Sequence, residues 1–97
     1  MSIVILSVAE DELREAVAYY NAQGPGLGFE FAAEVKAAFG RISAFPDAWP
    51  EFSARTRRCI VNRFPYGVLY QHTGDAILVI AIMHLSRSPQ RWQDRAA

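Results

Sequence analysis

The side chains that could do chemistry gather in the second half of the chain. His84 closes the apolar run Ala76–Met83 and opens the pattern His-x-x-Arg-x-Pro-x-x-Trp, with Arg87 three residues on and Trp92 at its end. A histidine beside an arginine can move a proton at a phosphodiester while the guanidinium neutralises developing charge. Arg58 and Arg63, on the preceding strand-like segment, can add phosphate contacts, and Tyr66 or Tyr70 can stack on a base. The opposing reading is structural. In it His84 ends its strand by hydrogen bonding, Arg87 holds the tail, and Trp92 packs on the sheet or helix ends. A lone histidine without a paired general acid is a weak catalytic set. Arg57, Arg91 and Arg95 are expected at the surface, with Tyr66, Tyr70 and Trp92, as docking residues for a partner.

Other chemistries find no support. There is no Gly-rich phosphate loop and no G-x-S-x-G elbow. His72 and His84 stand twelve apart with no cysteine or carboxylate at ligand spacing, so neither metal nor cofactor is expected. His72 reads as an exposed strand end. Cys59 is the only cysteine, which rules out an internal disulfide, fits a reducing compartment, and suits a small buried hydrophobe.

Charge is unevenly spread although the net is zero. Residues 1–51 hold eight acids against three bases, a net of −5, and residues 52–97 hold seven arginines against Asp75 and Asp94, a net of +5. Nine of the ten bases are arginine, whose planar fork suits phosphate and carboxylate. Either the second half meets an anionic partner, or the two halves pair across the fold.

These residues need a scaffold, and 97 residues supply one domain, 1–97, with a small core. Acids follow Ala9, where a signal peptide would continue apolar, and no run is long enough to span a bilayer; a soluble cytoplasmic protein is expected. Ile3–Leu6 reads as a buried strand. Ser7-x-x-Glu10 reads as a capping box, with Glu10, Asp11 and Glu12 favoured by the helix dipole. Leu13, Ala16, Val17 and Tyr20 predict a first helix to about Ala22. Gly24-Pro25-Gly26 breaks it. Phe31, Val35, Phe39 and Ile42 predict a second helix from about Gly28 to Ala44, stopped by Pro46. Pro46–Ser53 reads as a loop in which Trp49 covers a core edge.

Three strands complete the pattern. The first runs Thr56–Phe64, with Ile60 and Phe64 on one face and Cys59 and Val61 on the other. Pro65-Tyr66-Gly67 turns the chain, Val68–His72 is the next strand, and Gly74-Asp75 suits a tight hairpin to Ala76–His84. The predicted class is α+β, in the order β-α-α-β-β-β. A helical hairpin lies on one face of a small, mainly antiparallel sheet. Strict alternation puts Ile77, Val79, Ala81 and Met83 on one face of the last strand and Leu78, Ile80 and Ile82 on the other. Two helices cover one face, so a partner is expected to cover the second.

Taken in order, several features resemble the ParE/RelE superfamily of bacterial toxins. They are Tyr19-Tyr20 at a helix end, Gly26-Leu27-Gly28-Phe29, Phe45-Pro46 with Trp49-Pro50, Arg63-Phe64-Pro65-Tyr66 with Tyr70, and the His84-x-x-Arg87-x-Pro89-x-x-Trp92 ending. The resemblance covers nearly the whole chain. It implies the toxin of a type II toxin–antitoxin system, a helical hairpin on an antiparallel sheet, and a hetero-oligomer with an antitoxin whose C-terminal segment wraps the toxin. ParE-like members inhibit DNA gyrase. RelE-like members cut messenger RNA on the ribosome without metal, and in that case His84, Arg87, Arg63 and Arg58 are the residues to carry it. The sole lysine, Lys36, lies in the second helix and no tyrosine follows Arg87. Both departures point to the ParE-like branch and away from an enzyme, while His84 and Arg87 keep RNA cleavage open. A degenerate member that only binds antitoxin is the third reading.

Overall fold

The computed structural model describes residues 2–87 and Arg95. Its elements are β1 (Ser2–Ile5), α1 (Ser7–Gln23), α2 (Leu27–Ala44), β2 (Glu51–Ser53), β3 (Thr56–Ile60), β4 (Tyr66–Thr73) and β5 (Ala76–His84). The sheet order is β1-β5-β4-β3-β2, with β1 parallel to β5 and every other pair antiparallel. Two helices lie against this five-stranded mixed sheet, which is the α+β arrangement the pattern predicted.

The helical hairpin forms where periodicity placed it. Ala9 and Ala16 are buried on α1, with Leu13, Val17 and Tyr20 packed against the core. Phe31, Val35 and Ile42 are buried on α2, joined by Ala38 and by half-buried Phe39. The predicted Ser7–Glu10 capping box does not form. Leu6 is the N-cap, and no side chain caps α1. The reason lies in β1: Leu6 N–H still donates to Val79 O at 3.0 Å, so Leu6 stays extended and Ser7 is already helical. The helices meet in close contact at Gly28. A Cβ there would lie 2.1 Å from Val17 O, and Asn21 Oδ1 accepts the Gly28 N–H at 2.7 Å.

Other expectations are corrected. Pro46–Ser53 is not wholly loop, because Glu51 and Ser53 pair with β3 as a short edge strand. β3 stops at Ile60 rather than Phe64, because Arg63 takes a left-handed φ of 71° and turns the chain. Phe64 therefore enters the core beside Val61 and Cys59, while Ile60 is left 41% exposed. A left-handed arginine costs on the order of 1 kcal/mol, and the carboxylates of Glu30 and Glu34 on α2 hold its side chain. Tyr66 and Gly67 belong to β4 and not to the turn. The Gly74-Asp75 hairpin and the bounds of β5 are as predicted, with Gly74 at φ 61°.

The faces of β5 depart most from expectation. Tyr70 pairs with Val79 and Leu69 with Ala81, so Ile80 has no partner on β4 and forms a bulge. The alternation changes phase there. Ile77, Val79 and Ile82 face the helices, while Leu78, Ile80, Ala81 and Met83 belong to a second cluster with Leu69. Leu69, Ile80, Ala81 and Met83 are 0–6% exposed in the single chain, so no partner is needed to cover them.

Gly28→Ala should destabilise the chain by about 2 kcal/mol or more, since the new methyl would meet a backbone oxygen that cannot yield. Urea unfolding followed by circular dichroism measures it. An unchanged midpoint would contradict the close helix crossing.

Candidate functional site

The ends of β4 and β5 bring three of the nominated residues together. Tyr66 lies opposite His84, with ring centroids 5.2 Å apart at 78°. His84 Nδ1 accepts the Ser86 backbone N–H at 3.1 Å and lies 2.8 Å from Ser86 Oγ. That acceptor role places the proton of a neutral ring on Nε2. Arg87 N–H donates to His84 O at 3.0 Å, closing a turn that sets the guanidinium beside the strand end.

Between this strand end and α1 lies a cleft of about 580 Å³, whose walls include Glu12, Glu15, Tyr19, Tyr66, His84 and Arg87. Behind it, Tyr20 packs on Phe31, Phe64 and Tyr66 with ring separations of 4.9–6.0 Å. Burial, with the neighbouring Tyr66 and Tyr19, raises the Tyr20 phenol above its ordinary value. Burial also raises Tyr66, against the opposing charge of Arg87. Both phenols remain neutral donors near neutral pH. Among the cleft's described walls stand the carboxylates of Glu15 and of Glu12, which Arg95 pairs, and the guanidinium of Arg87, so it is a mixed, aromatic groove.

The remaining nominated residues go elsewhere. Arg58 sits on the opposite sheet face over the Phe52 ring at 4.4 Å, and lines a small recess there with His84 and Arg87. Arg63 is held by Glu30 at 2.7 Å and Glu34 at 3.7 Å. Arg57, expected to face a partner, donates to Trp49 O at 2.7 Å and Asp47 O at 3.3 Å, and stands 3.6–3.8 Å from Glu51 and Asp47. It staples the 46–51 segment to β3. Tyr70, also expected at the surface, is fully buried and donates to Pro46 O at 2.5 Å. Arg95, expected to be solvated, pairs with Glu12 at 2.9 Å and donates to Ile80 O at 3.1 Å. Arg91 and Trp92 lie outside the described residues.

His72 is likewise not a free strand end, since its Nδ1 lies 2.9 Å from Asp47 Oδ1. That hydrogen bond, helped by the charges of His72 and Arg57, holds the Asp47 carboxyl below its ordinary range. Trp49 packs against the core, and Cys59 is buried, where burial raises its thiol. Among the described residues no group of three His, Cys, Asp or Glu could hold a metal ion. No helix among them is long and apolar enough to cross a membrane.

Sequence reasoning missed Glu12, Glu15 and Tyr19 as cleft walls. It assigned Glu12 to the helix dipole, but Glu12 also accepts the Ile82 N–H at 3.1 Å. The signal was available, since residues 12, 15, 16 and 19 share one helical face.

Comparison with known proteins gives one family. The model for the ParE toxin of the type II toxin–antitoxin system parDE matches residues 3–89. No curated protein matches the sequence. Among solved structures, one described as a chromosomal ParDE TA system from P. aeruginosa is similar to this chain. It aligns with a TM-score of 0.69 and 15% identity, covering 87% of this chain and 95% of that one. At that identity the likeness is one of fold.

Burial of Tyr70 makes stability depend on alkaline pH. Its phenol is raised from 10.0 to about 12, chiefly by burial, so folding favours the protonated form. That contribution is complete below pH 10 and is lost as pH rises towards about 12. Tyr70→Phe should cost about 1 kcal/mol at neutral pH through the lost hydrogen bond. It should also flatten the fall in urea midpoint above pH 10. An alkaline slope identical to that of the unaltered chain would contradict this assignment.

Proposed function

This chain belongs to the ParE toxin family of type II toxin–antitoxin systems, and from that premise we propose that it arrests growth by binding DNA gyrase and is held inactive by direct binding of a cognate antitoxin. The observation that carries this reading is the character of the larger cleft at His84, which is walled by Tyr19 and Tyr66 together with the carboxylates of Glu12 and Glu15. Arg63 is engaged by α2, Arg57 by the 46–51 segment and Arg95 by Glu12, and Arg58 lies on the opposite sheet face from this cleft. What faces solvent around His84 is an aromatic groove with carboxylates in its wall, better suited to a polypeptide than to an RNA backbone.

RNA cleavage remains the second reading because His84 and Arg87 do share a cleft. The two readings separate on His84. If it works only by packing and hydrogen bonding, His84→Ala keeps toxicity within about tenfold. Loss of a general acid or base typically removes about 10²–10⁴-fold.

Added to purified gyrase, the folded chain should stop supercoiling of relaxed plasmid, and the antitoxin should restore it. Undiminished supercoiling at molar excess of the chain would contradict the proposal. Overexpression without harm would leave antitoxin binding as its only role.

A further inference from the structure

The sheet face turned away from the helices carries a smaller recess at the same strand ends. Its walls are Phe52, Arg58, Leu69, Met83, His84 and Arg87, around a space of about 30 Å³, with Leu85 at its edge. Arg58 stacks over Phe52. Its aliphatic stem crosses β4 at Gly67, where a Cβ would stand 3.0 Å from its Cγ and 3.1 Å from its Cδ. The missing side chain at 67 is what lets the stem lie flat and aim its guanidinium along the recess.

Five of the other arginines make the contrast. Arg14, Arg57, Arg63 and Arg95 each pair with a carboxylate, and Arg41 donates to Ile60 O. Arg58 and Arg87 have no carboxylate partner among the described residues, and they line the same recess. Two guanidinium forks at one small site, with no carboxylate partner among the described residues, form a receptor for an anion.

We propose that this recess takes a carboxylate side chain of a protein partner, flanked by apolar residues. On the toxin reading above, from which the choice of partner follows, it is an acidic segment of the antitoxin. Two guanidinium forks lining one small recess suit the two oxygens of a carboxylate. The surroundings support apolar neighbours in the partner: Leu69 and Met83 form the floor, and Phe52 and Leu85 are 37% and 40% exposed beside it. A nucleic-acid strand needs cations spread along a track, on a domain far more basic than one with zero net charge and a pI near 6.7.

The test is an NMR titration of the isotope-labelled full chain with three probes. These are acetyl-Leu-Glu-Leu-amide, acetyl-Leu-Gln-Leu-amide and an oligothymidylate. The glutamate peptide should shift the side-chain N–H signals of Arg58 and Arg87. It should bind at least about tenfold more tightly than the glutamine peptide, as a charge-assisted contact requires. Arg58→Gln and Arg87→Gln should each weaken it by a similar factor, and Arg58→Lys by less. Should a glutamine variant disturb the fold, the contrast between the two peptides on the unaltered chain still decides. Equal binding of both peptides, no shift at millimolar peptide, or tighter binding of the oligothymidylate at this recess would overturn the proposal. The gyrase assay does not depend on this titration, so failure of one is distinguishable from failure of the other.

Discussion

The bulge at Ile80 sets the direction of every later side chain on β5. With Tyr70 opposite Val79 and Leu69 opposite Ala81, one residue is left over and the alternation restarts in the other phase. Ile82 then turns into the core below the helices, and His84 meets Tyr66 on that side. The strand at this point has also outrun β1, whose pairing ends at Ile5 and Val79. Its exposed backbone groups are taken by side chains: Glu12 accepts the Ile82 N–H, Arg95 donates to Ile80 O, and the two pair with each other. An ion pair thus stands where a neighbouring strand would be. It is mostly buried, at about a fifth exposed, so losing either partner would strand the other charge in a poorly solvated place.

The same pairing explains the uneven charge of the chain. Acids of the first half meet arginines of the second at Asp47 and Glu51 with Arg57, at Glu30 and Glu34 with Arg63, and at Glu12 with Arg95. Much of the apparent basic surface is therefore internal wiring between the helical hairpin, the loop that follows it and the sheet. Arg58 and Arg87 stand outside that wiring among the described residues, and both line the recess beside His84. This leaves two small, chemically distinct surfaces at one end of the sheet: an aromatic cleft beneath α1 and a cationic notch on the opposite face.

Much of this was legible in the sequence, and what was not has physical causes. The helices were readable because Phe31, Val35 and Ile42 repeat at helical spacing between a Gly-Pro-Gly break and Pro46. β5 was readable because an apolar run starts after Gly74-Asp75 and ends at a histidine. Its bulge was not, because every residue from Ala76 to Met83 is apolar and no polar alternation marks the phase. β2 was hidden by its three-residue length, and its place depends on Arg57, whose partners lie up to ten residues away. The end of β3 turned on one left-handed arginine that composition does not reveal. At the site, His84, Arg87 and Tyr66 stood out as polar groups at strand ends. The destinations of Arg57, Arg63, Tyr70 and Arg95 were set by tertiary partners as distant as Glu12, which no local pattern encodes.

On the proposed reading, this end of the sheet acts by binding protein and not by cutting RNA. Pulse-labelling of DNA and protein synthesis in the first minutes after inducing the chain without its antitoxin tests it most directly. DNA synthesis falling first, with protein synthesis still running, is the predicted result. Protein synthesis collapsing first, while DNA synthesis continues, would contradict it.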